Sequence, residues 1–148
     1  MSLVPVVRVK LVKEGNVRTS EKRYSSPEQV TEMARTFFDD TDREIFAAFY
    51  LNGKNQIAGV NEISVGSLNQ SIVHPREVFK GAILANAAAV ILVHNHPTGD
   101  PTPSNEDKEI TRRLRDAGDI LGIRVLDHVI VGEEETNQFY SFTQHGLL

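Results

Sequence analysis

The sequence predicts an α+β fold, a mixed α/β sandwich in which helices cover a sheet. Three observations point there. Amphipathic helical stretches are interspersed with short apolar runs; two of those runs flank Asn52-Gly53, the signal of an antiparallel hairpin; and residues 88–93 are apolar without a break, as a strand covered on both faces requires. The chain has 148 residues, within the usual range of one domain with its own core. Residues 1–25 read as an N-terminal arm and linker, and residues 26–148 as the domain.

Taken in order, Val7-Arg8-Val9-Lys10-Leu11 alternates apolar with basic side chains and predicts an edge strand or leading arm. Gly15-Asn16 breaks it, and residues 15–25 read as a linking loop. Ser26-Pro27-Glu28 supplies an N-cap, a proline at the first helical position and an acid in the first turn, so a helix starts here. Val30, Met33, Ala34, Phe37 and Phe38 form its buried stripe, which ends in Asp39-Asp40-Thr41-Asp42. Residues 44–51 and 56–65 read as two strands joined by a tight Asn-Gly turn. Pro75-Arg76-Glu77 opens a second helix running to about Asn86, with Val78, Phe79, Ala82, Ile83 and Ala85 on its apolar side. Residues 88–93 form the central strand. Residues 97–105 contain three prolines and a glycine and cannot be regular. Ser104 caps a third helix whose stripe is Ile110, Leu114, Ala117 and Leu121. Residues 123–131 read as a strand, 132–137 as a turn and 139–142 as a last short strand.

Composition narrows the function classes. With no cysteine, disulfides, thiolate nucleophiles and Cys-based zinc sites are excluded, so any metal must use histidine and carboxylate. A formal charge of −4 argues against an overall field built for polyanions, although Arg8, Lys10, Lys13, Arg18, Lys22 and Arg23 outnumber Glu14 and Glu21 in residues 1–23. That local excess is a weak DNA signal and reads first as a solvated strand face. No run approaches the length of a membrane helix and no secretory core follows the N-terminus, so a cytoplasmic protein without membrane contact is expected. The exposed edge of the arm would suit pairing with a second copy, a homodimer.

The chemistry gathers at His94-Asn95-His96-Pro97. In an extended segment His94 and His96 project together while Asn95 points away. After His96 and ten intervening residues comes Asp107, one turn into the third helix. The plain reading makes the histidines hydrogen-bonding residues at a strand end and Ser104-x-x-Asp107 a capping box. The coincidence of both with a rigid Pro-rich loop favours a metal site on His94, His96 and Asp107, with a fourth position for water. Zinc held so suits hydrolysis, which needs a general base; Glu44, Glu62, Glu77 and Glu106 are candidates, and periodicity does not choose between Glu44 and Glu62. His74, His128 and His145 read as structural or surface residues. Asn95 and Asp100 read as shaping the loop, and Gly99 as permitting a positive φ.

His94-x-His96-Pro97 with Ser104 and Asp107 is similar to the JAMM (MPN+) metalloprotease motif, and the longer string from His94 to Ser104 resembles the RadC branch of that family. His74-Pro75-Arg76-Glu77, Asn86-Ala87-Ala88-Ala89-Val90 and Gly122-Ile123-Arg124-Val125-Leu126-Asp127-His128 extend the resemblance. The closing Ser141-Phe142-x-x-His145-Gly146-Leu147-Leu148 looks like the short prophage-associated relatives of RadC. The resemblance implies a JAB/MPN fold, a cytidine-deaminase-like sheet flanked by helices, with one zinc ion on His94, His96 and Asp107. It also implies Glu44 as general base, Ser104 as oxyanion donor, and a peptide or protein substrate. Two other classes are carried beside it: a RadC-type repair or recombination accessory that binds DNA or repair partners, and a protein-interaction module with an unused metal site.

Overall fold

The computed structural model describes residues 1–38, 42–66 and 73–148. The described elements run α1 (Pro27–Phe38), β1 (Ile45–Leu51), β2 (Ile57–Val65), α2 (Pro75–Leu84), β3 (Ala89–Asn95), α3 (Asn105–Leu121), β4 (Arg124–Val131) and β5 (Phe139–Ser141). The strands form one sheet in the order β2-β1-β3-β4-β5. β3 and β4 are parallel, with α3 as their crossover, and every other pair is antiparallel. The mixed sandwich expected from the sequence is therefore the fold.

Strand parity sorts the core onto two faces. Odd residues of β1 and β3, Ala47, Phe49, Leu51, Ile91 and Val93 among them, pack with Val30, Met33, Ala34 and Phe38 of α1. Even residues, including Phe46, Ala48, Tyr50, Val90 and Leu92, pack with Val78, Phe79 and Ala82 of α2 and Ile110 and Leu114 of α3. Each large side chain so buried contributes about 1.5–3 kcal/mol. His94 is even and so faces α3.

Three register shifts interrupt that parity. Between Val90↔Val125 and Ile91↔Asp127, β4 gains one residue, Leu126, with no partner on β3. An extra residue in one strand moves everything after it to the other face. His128, opposite Leu92, thereby lands on the α3 side with His94, while Leu126 and Val129 pack on the α1 side. β2 likewise gains Ile63 between its pairings with Phe46 and Ala47, and Ala58 between its pairings with Tyr50 and Leu51.

The helix boundaries follow their caps. The Ser26 hydroxyl accepts from Gln29 N, and the His74 ring accepts from Arg76 N ahead of Pro75. Ser104 and Asp107 make a reciprocal capping box, and Gly122 (φ 72°) ends α3 in the left-handed conformation.

Several expectations are corrected. Residues 1–19 form no regular element, and every residue to Asn16 is exposed. Alternation alone makes no strand without a partner for its N–H and C=O groups, and among the described residues backbone pairing with the sheet starts at Lys22, whose carbonyl accepts from Ile57 N, and Arg23, which bridges Gln56. The hairpin turn is wider than an Asn-Gly pair. Asn52 Oδ1 accepts from the amides of Lys54 and Gln56, and the positive φ falls on Asn55 (61°) and not on Gly53. Leu121, expected on the buried stripe, is 48% exposed at the helix end. Of the acidic run placed at the end of α1, residues 39–41 lie outside the described residues, and Asp42 sits in a bend.

Candidate metal centre

β3, the next loop and the first turn of α3 build the centre between them. His94 ends the buried part of β3 and is fully enclosed. His96 lies just past the strand, fixed by its amide donating to Val131 O at 3.0 Å. Asp107 occupies the third position of α3, where the capping box orients it: Ser104 N donates to its Oδ2 (2.8 Å) and its own amide donates to Ser104 Oγ (3.0 Å). Capping and ligation are thus compatible uses of one carboxylate.

His94 Nε2 lies 3.1 Å from His96 Nε2 and 3.4 Å from Asp107 Oδ1, and His96 Nε2 lies 3.2 Å from Asp107 Oδ2. The candidate donor atoms all fall within 4.8 Å of one another. His96 Nδ1 is 2.8 Å from the Asp100 carbonyl, which can only accept, so Nδ1 carries hydrogen there. Asp100 in turn shapes the loop by accepting from the Thr102 amide and hydroxyl, and Gly99 adopts φ 90° as expected.

The charges respond to this packing. Burial would raise the Asp107 pKa, but its close contacts with the His94 and His96 rings, together with the hydrogen bond from the Ser104 amide, outweigh it and hold the carboxyl well below its usual range. The hydrogen bond to Asp107 raises His96 despite partial burial, while burial lowers His94 and lowers His128 further.

A cleft of about 220 Å³ opens over the cluster, lined by Glu44, His96, Pro97, Thr98, Ser104, Glu106 and Asp107. Glu44, directly before β1, exerts its charge on both His94 and His96. Of the other acids considered, Glu106 sits exposed at the cleft, Glu62 is exposed on the edge strand opposite Ala47 and does not line it, and Glu77 pairs with Lys80 on α2. Ser104 Oγ accepts the Asp107 amide and keeps its own hydrogen to donate.

Two residues do more than the sequence showed. Asn95 turns away from its histidine neighbours and grips the peptide on both sides of Glu44, its Oδ1 accepting from Ile45 N (2.7 Å) and its Nδ2 donating to Arg43 O (2.9 Å). His128 is fully buried, its Nε2 2.7 Å from His94 Nδ1 and its Nδ1 2.6 Å from the Thr111 hydroxyl. It is wedged between Phe142, stacked on it, and the edge-on Phe46. The only sequence signal for it was its presence in a string of family resemblance. His74 caps α2, and exposed His145 stacks on Tyr140, as structural or surface residues would.

Two imidazoles and a carboxylate, with both Nδ1 atoms engaged away from the cluster and both Nε2 atoms turned into it, make a donor set suited to one divalent metal. Fold and cluster together define a mixed α/β sandwich domain with a three-donor site at a central strand end. The model of the RadC-like JAB domain matches residues 24–147, and the chain belongs to that family. It is 61% identical over 127 residues to a UPF0758 protein of Geobacter sulfurreducens, a match covering 86% of this chain and 54% of that protein. A UPF0758 protein of Geotalea uraniireducens is 57% identical over 129 residues, covering 87% and 55%. One from Caldanaerobacter subterraneus is 57% identical over 109 residues, covering 74% and 47%. The chain spans about half the length of these curated relatives, whose names state no activity. Among the described residues, no helix is long and apolar enough to cross a membrane.

Proposed function

We propose that this domain is a zinc-dependent hydrolase of the JAMM type, cleaving a peptide or isopeptide bond. The observation that carries the reading is the convergence of two Nε2 atoms and the Asp107 carboxylate at the base of a cleft lined by His96, Asp107 and Glu44. Zinc on those three donors, with a fourth position open, would polarise a carbonyl and acidify a water. The remaining work falls to the chain. Glu44 takes the proton of the attacking water and returns it to the leaving amine, a role worth about 10²–10⁴-fold in rate. Ser104, anchored as the cap of α3, directs its hydroxyl hydrogen at the developing oxyanion. Asn95 keeps Glu44 at the cleft by holding Arg43 and Ile45.

The test is metal analysis with hydrolysis of a panel of peptide and isopeptide-linked reporters. Wild type and Glu44→Gln should each hold about one zinc per chain, His94→Ala and Asp107→Ala none, and only wild type should cleave. A folded wild-type chain that takes up no zinc overturns the proposal.

A further inference from the structure

Thr111 and His128 form a buried chain of hydrogen bonds between two of the candidate ligands, and its direction can be read from one end. The Thr111 hydroxyl lies 2.6 Å from the Asp107 carbonyl, one turn back along α3, and 2.6 Å from His128 Nδ1. A carbonyl oxygen has no hydrogen to give, so the single hydroxyl hydrogen of Thr111 points at Asp107 O. His128 Nδ1 must then supply the hydrogen of the second contact. His128 is fully buried, and among the described residues no carboxylate pairs with it, so the ring is neutral and its Nε2 is an acceptor. The 2.7 Å contact to His94 therefore takes its hydrogen from His94 Nδ1, which leaves the lone pair of His94 on Nε2, facing His96 and Asp107.

We infer that Thr111 and His128 are positioning residues that set His94 in its metal-ready tautomer before any ion arrives. The inference rests on the metal-centre reading for its purpose but not for its test. It also explains the use of the β4 bulge: without Leu126 as the extra residue, Asp127 and not His128 would face Leu92 and the α3 side. A neutral ring there can relay a hydrogen bond while stacked between aromatic neighbours. A carboxylate could accept from His94 but would have nothing to donate to Thr111.

The experiment reads the ring-nitrogen tautomers of metal-free protein by long-range ¹H–¹⁵N correlation NMR, alongside zinc affinity by chelator competition. Wild type should show both His94 and His128 as Nδ1–H tautomers. His128→Phe keeps an aromatic ring between Phe46 and Phe142 but removes the acceptor; the His94 preference should be lost and zinc affinity should fall about 10- to 100-fold. His128→Gln, whose amide can accept from His94 and donate to Thr111, should recover most of that loss. Thr111→Val, a change that keeps the packing, should turn His128 to Nε2–H. Should His128→Phe fold poorly, Thr111→Val and the wild-type spectrum decide alone. An Nε2–H tautomer of His94 in metal-free wild type, or a Thr111→Val protein with unchanged His128 signals, overturns the inference even if zinc binds tightly. The predicted tautomers in a chain that binds no zinc would instead sink the metal reading and leave the preset ring standing.

Discussion

Replacing Asn95 with alanine removes both hydrogen bonds that hold the peptide around Glu44, and the cost can be worked from their surroundings. The β1–β3 ladder ends at Phe46↔His94, and one residue further the Asn95 side chain takes the place of the next ladder bond by accepting from Ile45 N. Ile45 is 7% exposed, so its amide gains little from water once Asn95 is truncated, a penalty of about 1–3 kcal/mol. The Arg43 carbonyl belongs to an exposed residue and can turn to solvent, which limits its loss to about 1 kcal/mol or less. Together the change should cost about 2–3 kcal/mol, or about 5–10 °C in Tm for a chain of this size. Asn95→Asp keeps the acceptor but sets an oxygen against Arg43 O, and should fall between alanine and wild type. Denaturant unfolding of metal-free protein measures the stability, hydrogen exchange at the Ile45 amide reports the local release, and zinc competition checks the ligands, which Asn95 does not touch. Zinc affinity should stay within a few-fold while hydrolysis drops. An alanine variant within about 0.5 kcal/mol of wild type, or one that loses zinc as a ligand substitution would, refutes the reasoning.

Other outcomes follow from the same geometry. With the His94 lone pair and the Asp107 carboxylate both facing His96 Nε2, the metal-free cluster keeps a proton on His96, whose pKa is raised chiefly by its bond to Asp107. Zinc must displace that proton, so affinity should fall as pH drops through the raised pKa, and calorimetry in buffers of different ionisation enthalpy should register proton release near neutrality. A Cβ on Gly132 would sit 2.6 Å from Gly99 O, a backbone atom that also accepts from Glu133 N. Gly132→Ala should therefore cost about 1–3 kcal/mol in thermal or denaturant unfolding and weaken zinc binding by displacing the His96 loop. Ser104→Ala removes the cap, for about 1 kcal/mol of stability, and should slow hydrolysis by far more than that loss explains, seen by comparing unfolding with turnover.

Much of this architecture was legible because it depends on neighbours in sequence. The unbroken apolar run of β3 gave its burial on both faces, proline and serine marked the starts of α1 and α3, and period-two geometry put His94 and His96 on one side. What stayed hidden depends on partners distant in sequence. The N-terminal alternation looked like a strand because side-chain pattern carries no information on whether a partner edge exists. His128 looked like an ordinary strand residue because the Leu126 bulge that re-aims it is a property of the β3–β4 pairing. Asn95 looked like a loop residue because its partners, Arg43 in the bend before β1 and Ile45 at its start, are distant in sequence. Glu44, directly before β1, and Glu62, inside β2, belong to one hairpin, and their places relative to the cleft depend on how that hairpin sits against β3 and α3, which its own pattern does not carry.

The order in which the chain supplies these parts has a consequence in time. His94, His96 and Asp107 come from one continuous strand, loop and helix turn, whereas His128 arrives only when β4 docks beside β3, and Glu44 only when β1 pairs from the far side. Closing short loops costs less entropy than closing long ones, so nearby contacts form ahead of distant ones. A chain refolding in the presence of zinc would gather its three donors early, hold the ion tightly only once His128 has docked, and become able to cut after Glu44 is in place. The interval between those events would be a clock for assembly of the sheet, read by following metal uptake and turnover separately after dilution from denaturant.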